Sequence, residues 1–285
     1  MSENGRLEEL ETELLLEGVL RYYGYDFRDY DASAVRRRIR EGMLAGRVST
    51  ISRFQEKVLH NPSFLGRFLR TFSITGLSMF SDADFYQAFR AKVVPLLRTY
   101  PFVRIWHAGC STGQEVYAMA ILLEEEGLYS RCRIYATDLS EEAILEARKG
   151  SYPSSAADGY EINYLNAGGK KSLYDYCKRK GSRLLVNPAL RKQIVFSEHN
   201  LAAGSSFNEF QVVVCRDILL SFNQTLKERV DKLIYESLGR FGVLALGASE
   251  TLKAMPHEPC YSLLDERGRL YQKLGYTSDS QTCQY

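Results

Sequence analysis

The chain has 285 residues, 45% of them hydrophobic, and a formal net charge of +2 at pH 7. It is long enough for two domains with sizeable cores, and its nearly balanced charge excludes the strongly basic field of a nucleic-acid-binding protein. There is no 18-residue apolar run, no basic segment followed by an apolar one at the start, and no zinc-site spacing among the cysteines and histidines. We therefore expect no membrane insertion, no secretory signal, no metal site and a cytoplasmic location.

The first third of the chain has the apolar periodicity of α-helices. The first helix is indicated by Leu7, Leu10, Leu14, Leu15, Val19 and Tyr22. Gly24 ends this helix. Further helices are predicted over residues 32–45, 52–59, 62–72 and 82–97. Because no β-rich alternation interrupts them, we predict an all-α N-terminal domain over residues 1–75, followed by a linker and helix over residues 76–98.

The predicted second helix carries a run of arginines that includes Arg37 and Arg40. Such a run is most often only a solvated helix face. Guanidinium groups also pair bidentately with carboxylates, so the same arginines are candidates for docking an acidic partner helix. The residues alone leave both interpretations open.

Residues 102–115 carry the strongest functional signal in the chain. A β-rich apolar run is followed by small residues that include Gly109 and Gly113, and then by the amphipathic pattern of a helix. Strand, turn and helix in this order are typical of the first βα unit of a nucleotide-binding sheet. Small side chains in the turn let the backbone approach a ligand closely.

The next predicted strand, residues 133–138, ends in Asp138. An acid about 25 residues after the glycine turn can accept hydrogen bonds from both ribose hydroxyls of an adenosine ligand. The turn lacks the GxGxxG pattern, and Glu115 in the first helical turn repels a pyrophosphate but suits a ligand with sulfonium and ammonium groups. Acids are also common in first turns because of the helix dipole alone. The residues therefore favour S-adenosylmethionine without excluding a dinucleotide.

Strands and helices alternate from residue 102 onward, which predicts an α/β domain over residues 99–285. Within it, residues 150–192 are too many for a simple connection and contain hydrophobic segments of their own. We predict an inserted small subdomain there, built of β-hairpins. Residues 269–274 are predicted to close the main sheet as an antiparallel edge strand.

Ligands of open α/β sheets bind beyond the carboxyl ends of the strands, near a switch point. The candidate cofactor-binding residues at these ends are Gly109, Glu115, Asp138, Asn200, Leu201, Arg216 and Asp217. Asn200 is suited to hydrogen-bond the adenine edge and Leu201 to cover its face. Each of these residues taken alone is equally suited to a strand-end cap.

Together these residues resemble the chemotaxis receptor methyltransferase (CheR) family. The matching stretches are 108–117 (AGCSTGQEVY), 136–138 with 146–152, 199–201, 215–217 with 222–223, and 247–250. The resemblance implies a class I, Rossmann-like methyltransferase sheet of the α/β class with an inserted small β subdomain, preceded by an all-α domain. It also implies S-adenosylmethionine as cofactor, S-adenosylhomocysteine as product, and cofactor contacts by Glu115, Asp138, Asn200, Leu201 and Arg216.

The activity implied by the resemblance is that of a protein-glutamate O-methyltransferase in chemotaxis signal transduction. Such enzymes form methyl esters on glutamate side chains of helical chemoreceptors. By the same resemblance, Arg37 and Arg40 on the second helix face the receptor or a receptor-like signalling protein.

Two departures from the family pattern lie where it places groups beside the transferring methyl. The linker motif N-x-T-x-(F/M)-F-R-D reads TGLSMFSD at 75–82, and the motif C-R-N-x-x-I-Y-F reads CRDILLSF at 215–222. Ser81 and Ser221 thus replace an arginine and a tyrosine, and no catalytic residue is assigned.

The alternative function is a catalytically impaired protein that binds S-adenosylmethionine or S-adenosylhomocysteine as a regulatory or binding module. A glutamate with a pKa of about 4.3 is already ionised at neutral pH, so methyl transfer needs no general base, and alignment and desolvation can sustain it.

Overall fold

The computed structural model describes residues 3–73 and 78–275. The N-terminal part consists of α1 (Glu3–Tyr23), α2 (Ala32–Gly46), α3 (Ile51–His60) and α4 (Pro62–Phe72). Asp31, Thr50 and Asn61 cap α2, α3 and α4, since each side chain accepts a hydrogen bond from a backbone N–H of the first turn. These helices therefore begin at signals that are visible in the sequence. Residues 74–77, which include the end of the predicted all-α domain and the start of the predicted linker, lie outside the described residues.

An aromatic cluster forms the core between these helices. Phe54 and Phe68 are buried and meet edge to face, with ring centroids 5.2 Å apart. Phe27, in the connection between α1 and α2, stacks on Phe72 at 4.2 Å. On α1, Leu15 and Val19 are fully buried, whereas Leu7, Leu10 and Leu14 are about half exposed. The apolar periodicity of α1 thus extends beyond the face that packs.

The α/β part begins with a broken helix and continues as strands and helices in alternation. Its helices are α5 (Ala83–Ala88), a π-helical turn (Phe89–Val93), α6 (Val94–Leu97), α7 (Gln114–Glu125), α8 (Glu141–Lys149), α9 (Ala157–Asn166) and α10 (Gln224–Ser237). Its strands are β1 (Val103–Ala108), β2 (Cys132–Asp138), β3 (Ser151–Pro153), β4 (Cys177–Lys180), β5 (Arg183–Val186), β6 (Ile194–Glu198), β7 (Phe210–Cys215), β8 (Leu238–Leu246), β9 (Tyr261–Asp265) and β10 (Leu270–Lys273).

The main sheet has the strand order β6-β2-β1-β7-β8-β10-β9. The first five of these strands pair in parallel, and β10 runs antiparallel to both of its neighbours. Because β1 pairs with β2 on one side and with β7 on the other, the carboxyl ends of β1 and β7 flank a switch point of the sheet. This sheet, behind an all-α N-terminal part, confirms the predicted fold class.

The prediction that residues 269–274 form the edge strand was wrong. Strand β10 lies inside the sheet between β8 and β9, and β9 is the edge. The two strands form a hairpin in which the Asp265 carboxylate accepts a hydrogen bond from the Gly268 N–H at 2.8 Å. A hairpin places one strand outside the other, and the short YSLLD segment of β9 has too little alternation to be recognised as a strand from the sequence.

Residues 150–192 contain a second, three-stranded antiparallel sheet of order β3-β5-β4 together with helix α9. Tyr152, Tyr160 and Tyr164 of this segment are buried in the same hydrophobic core as the main sheet. Helix α9 was not predicted. Its main sequence signal is the pair Tyr160 and Tyr164, four residues apart on one face.

The helical part is joined to the α/β part by backbone and side-chain contacts. Tyr30, between α1 and α2, forms an antiparallel β-bridge with Phe222. Arg70 on α4 donates two hydrogen bonds of 2.8 Å to the Glu146 carboxylate on α8. Within residues 3–73 and 78–275, no helix combines the length and the apolarity needed to cross a bilayer.

Candidate cofactor site

The ends of β1, β2 and β6 and the loop after β7 line one cleft. Its lining residues are Tyr30, Phe72, Ser73, Gly109, Asp138, Leu139, His199, Asn200, Leu201, Ile218, Ser221 and Phe222. Four of the predicted cofactor residues, Gly109, Asp138, Asn200 and Leu201, are therefore brought together. The switch point of the sheet explains this arrangement, since loops leaving β1 and β7 in opposite directions open a space between them.

The turn after β1 has an unusual backbone. Gly109, Ser111 and Gly113 all have positive φ angles, of 69°, 49° and 87°. The φ of Gly109 would strain any other residue, and a Cβ atom added there would lie 2.2 Å from Cδ1 of Ile218, so the Ile218 side chain would have to shift. The small residues of the turn thus allow close packing against the loop after β7.

Asp138 lies at the end of β2 and is only 3% exposed. Its carboxylate accepts hydrogen bonds from the Ser73 hydroxyl at 2.6 Å, the Ser111 N–H at 2.8 Å and the Ser140 N–H at 3.0 Å. Burial raises the pKa of Asp138, while these hydrogen bonds act in the opposite direction. The Leu139 backbone also acts on this carboxylate as a donor. A carboxylate has about four acceptor sites, so a ligand hydroxyl would share an oxygen with one of these donors or take its place.

Asn200 and Leu201 follow β6 and face the same cleft. The Asn200 side-chain oxygen accepts a hydrogen bond from the Ala202 N–H at 2.9 Å, which makes an Asx turn. Leu201 is partly buried against the core that contains Trp106. The turn uses one of the two lone pairs of the Asn200 oxygen, so both this oxygen and the NH₂ group remain suited to a contact with a base. The adenine contacts of both residues stay predictions.

The other predicted cofactor residues lie in a neighbouring depression. Its lining includes Glu115, Arg216 and Asp217 together with Ser81 and Asp82. Ser81 therefore belongs to this depression, whereas Ser221 belongs to the cleft with Asp138. The two positions of interest are thus on different walls of the site.

Arg216 is the centre of the depression. Its guanidinium donates hydrogen bonds to the Glu115 and Asp82 carboxylates, and its Nε donates to the Leu246 carbonyl at 3.3 Å. The ring of Phe85 lies against it, with 4.2 Å between the guanidinium carbon and the ring centroid. Arg216 is 8% exposed, so these contacts hold the side chain in one position.

The depression carries a net negative charge. Arg216 contributes one positive charge against the carboxylates of Glu115 and Asp82, and the carboxylates of Asp84 and Asp217 line the same depression. Burial raises the pKa of Asp217, and the neighbouring Arg216 opposes this shift. A surplus of carboxylates favours a cationic ligand group over a phosphate.

The loop after β7 is held by a residue whose role was not predicted from the sequence. Glu250 is 3% exposed, and its carboxylate accepts hydrogen bonds from the backbone N–H groups of Asp217 (2.8 Å), Leu219 (2.7 Å) and Gly247 (2.8 Å). Asp217 has a φ of 62°, and a Cβ atom added at Gly247 would lie 2.2 Å from the Oδ1 atom of Asp217. Glu250 therefore fixes a strained loop whose two ends face the depression and the cleft.

Three cleft residues also come from outside the α/β part. Tyr30 lies in the connection between α1 and α2, and Phe72 and Ser73 lie at the end of α4. No pattern in the helical region distinguishes these residues, because they reach the cleft only through tertiary contacts. Phe72 and Ser73 arrive with the packing of α4 on α8, and Tyr30 arrives through its bridge to Phe222.

Arg37 and Arg40 are exposed on α2, away from the residues that line the cleft. Arg40 pairs with Glu8 of α1 at 2.9 Å, and Arg37 lies 4.0 Å from Glu41 of its own helix. Exposed pairs of this kind contribute little to stability, so either arginine can exchange its partner for another carboxylate. Their contact with a receptor stays a prediction.

Comparisons with known proteins agree with this geometry. A family model described as "CheR methyltransferase, SAM binding domain" matches residues 77–263, and one described as "CheR methyltransferase, all-alpha domain" matches residues 10–73. Cher3 of Pseudomonas putida is 39% identical over 268 residues, which are 94% of this chain and 98% of that protein. The chemotaxis protein methyltransferase of Listeria innocua is 28% identical over 236 residues, or 82% of this chain and 87% of its own length.

A comparison with solved structures adds one more distant similarity. The N-methyltransferase NodS of Bradyrhizobium japonicum, in complex with S-adenosyl-L-homocysteine, aligns with a TM-score of 0.34 at 13% identity. The alignment covers 59% of this chain and 62% of that one. A similarity this low carries no conclusion by itself.

Proposed function

The chain belongs to the CheR methyltransferase family, and we propose on this premise that it methylates glutamate side chains of a helical chemoreceptor or receptor-like signalling protein. The products are glutamyl methyl esters and S-adenosylhomocysteine. The observation that supports this most directly is that two features meet at one switch point. They are the buried Asp138 carboxylate at the end of β2 and a depression with surplus negative charge.

Both features fit S-adenosylmethionine. Asp138 would accept a hydrogen bond from a ribose hydroxyl, which is charge-assisted and therefore stronger than a neutral one. Glu115, beside the cleft and tied to Arg216, would place negative charge near the cationic groups of the amino-acid tail. Asn200 and Leu201, which line the same cleft, would contact the adenine.

The reaction needs alignment and no proton transfer. The cofactor supplies an electrophilic methyl group on a sulfonium sulfur, and the acceptor glutamate supplies an ionised oxygen, so one O–C bond forms as one S–C bond breaks. The residues of this chain hold the two reactants in line and exclude water. Replacement of the family's arginine and tyrosine by Ser81 and Ser221 therefore removes orienting groups but no acid or base.

The test is incubation of the full chain with methyl-labelled S-adenosylmethionine and cytoplasmic fragments of candidate chemoreceptors. We expect label in the receptor that is released by mild base, as methyl esters are. The matched control is Asp138→Asn, which should abolish most of the signal. If the chain binds S-adenosylhomocysteine but labels no receptor, the proposed transfer is wrong and the binding-module alternative takes its place. A cytoplasmic location is part of the proposal because the acceptor fragments are cytoplasmic.

A further inference from the structure

We infer that Tyr30 is a further cofactor-binding residue and that its hydroxyl donates a hydrogen bond to the nucleoside half of S-adenosylmethionine. The inference rests on the proposed function, since it concerns the same cofactor. It extends the site beyond the α/β part, because Tyr30 lies between α1 and α2.

The position of Tyr30 relative to the cleft is the first observation. Tyr30 lines the cleft together with Asp138, Asn200 and Ser221. The residues suited to the amino-acid tail, Glu115 and Arg216, line the separate depression. A group that lines the same cleft as Asp138 and Asn200 is therefore placed for ribose or adenine and not for the tail.

The ring of Tyr30 is held in place by three aromatic neighbours. Its centroid lies 4.9 Å from that of Phe222, 5.1 Å from that of Phe27 and 5.5 Å from that of Phe72, with interplanar angles of 80°, 67° and 85°. Edge-to-face packing on several sides fixes the direction of the ring. The hydroxyl at its end is therefore positioned before any ligand binds.

The backbone around Tyr30 is tied to the loop that follows β7. The Asp31 N–H donates to the Ser221 carbonyl at 2.9 Å, and the Asn223 N–H donates to the Asp29 carbonyl at 3.0 Å. Arg229 forms an ion pair with Asp29 on the same segment. This pairing brings Tyr30 next to Ser221, although the two residues are far apart in sequence.

The hydroxyl is a donor without an acceptor in the part of the chain that the structure describes. No described residue accepts a hydrogen bond from it, whereas the Tyr23 hydroxyl, nearby in sequence, donates to the Val58 and Leu59 carbonyls. Burial and the charge of Asp138 raise the pKa of Tyr30, so the phenol stays protonated. Tyr30 is partly exposed and lines the cleft, so its hydroxyl is open to a ligand there. A ribose oxygen or an adenine nitrogen would accept its hydrogen bond in place of water.

The experiment compares Tyr30→Phe with the matched control Tyr25→Phe in the full chain. Both variants lose one hydroxyl from the same connection and keep the ring, but Tyr25 does not line the cleft. Calorimetric titrations use two ligands, S-adenosylhomocysteine and 5′-methylthioadenosine, which lacks the amino-acid tail. We expect Tyr30→Phe to lower the affinity for both ligands by about fivefold, which corresponds to the loss of one neutral hydrogen bond. We expect Tyr25→Phe to leave both affinities unchanged.

Each other outcome contradicts the inference in its own way. Unchanged affinities in Tyr30→Phe would show that the hydroxyl does not contact the cofactor, and a loss confined to S-adenosylhomocysteine would assign it to the tail. Misfolding is distinguished by the stoichiometry of the titration, which falls with the folded fraction while the dissociation constant does not change. If the unaltered chain binds neither ligand, the proposed function fails and the inference fails with it. If the unaltered chain binds both ligands and Tyr30→Phe binds them with the same affinities, the inference alone fails.

Discussion

Replacement of Glu250 by glutamine tests whether the loop after β7 is held by its carboxylate. One oxygen of Glu250 accepts from the Leu219 N–H, and the other accepts from the N–H groups of Asp217 and Gly247. A glutamine can keep the shared acceptor only by turning its NH₂ group toward the Leu219 N–H. One charge-assisted hydrogen bond is then lost, and two donors face each other in a buried place.

The magnitude follows from the number of bonds affected. Loss of one hydrogen bond to a buried charged group, with its donor left unsatisfied, costs about 1–3 kcal/mol. For a chain of this size that lowers the melting temperature by about 2–12 °C. Because the same loop carries Arg216 and Asp217, we also expect the affinity for S-adenosylhomocysteine to fall. A Glu250→Ala variant would lose all three bonds and is a poor probe, since the cost approaches the whole stability of a typical domain.

The assay is thermal unfolding with and without S-adenosylhomocysteine, followed by calorimetric titration below the transition. The matched control is Glu258→Gln, because Glu258 is exposed and accepts a single backbone N–H, from Ala254 at 2.9 Å. We expect the control to behave like the unaltered chain. If Glu250→Gln has the same melting temperature and the same affinity as the control, the three hydrogen bonds do not hold the loop and our account of the depression is wrong.

Three further predictions concern other parts of the molecule. Asp138→Asn should lower the affinity for S-adenosylhomocysteine by about 10- to 150-fold, because a charge-assisted hydrogen bond contributes about 1.5–3 kcal/mol. An unchanged affinity in a titration would show that the carboxylate does not bind ribose. Reversal of Arg37 and Arg40 to glutamate should slow association with the receptor, and this effect should shrink as salt is added; equal association rates in stopped-flow measurements would identify the arginines as a solvated face only. Burial and the Arg216 charge lower the pKa of His107 from 6.5 to about 3. Between these two pH values the folded chain therefore binds fewer protons than the unfolded chain, and its stability decreases as the pH falls through this range. In His107→Leu this decline should be shallower by up to about 1.4 kcal/mol per pH unit, and equal slopes in denaturant titrations across that range would mean that His107 is charged in the folded state.

The local architecture was determined by the sequence itself. The apolar run before Gly109 and the amphipathic pattern after Gly113 predicted a strand, a turn and a helix, and β1 and α7 lie there. Asp138 ends β2, as the spacing from the glycine turn indicated. These features are readable because strand and helix periods, caps and glycine turns depend on neighbouring residues along the chain.

The partners of the site residues were decided by the tertiary structure. Arg216 reaches Glu115 and Asp82, which are 101 and 134 positions away in sequence, and Ser73 reaches Asp138 across 65. The edge position of β9 depends in the same way on which strand β10 pairs with. Such pairings follow from the packing of whole elements, to which each residue contributes only a small part, so no short stretch of sequence contains them. For that reason a strand end can be recognised as a binding position from the sequence, while the groups that meet there become known only from the folded chain.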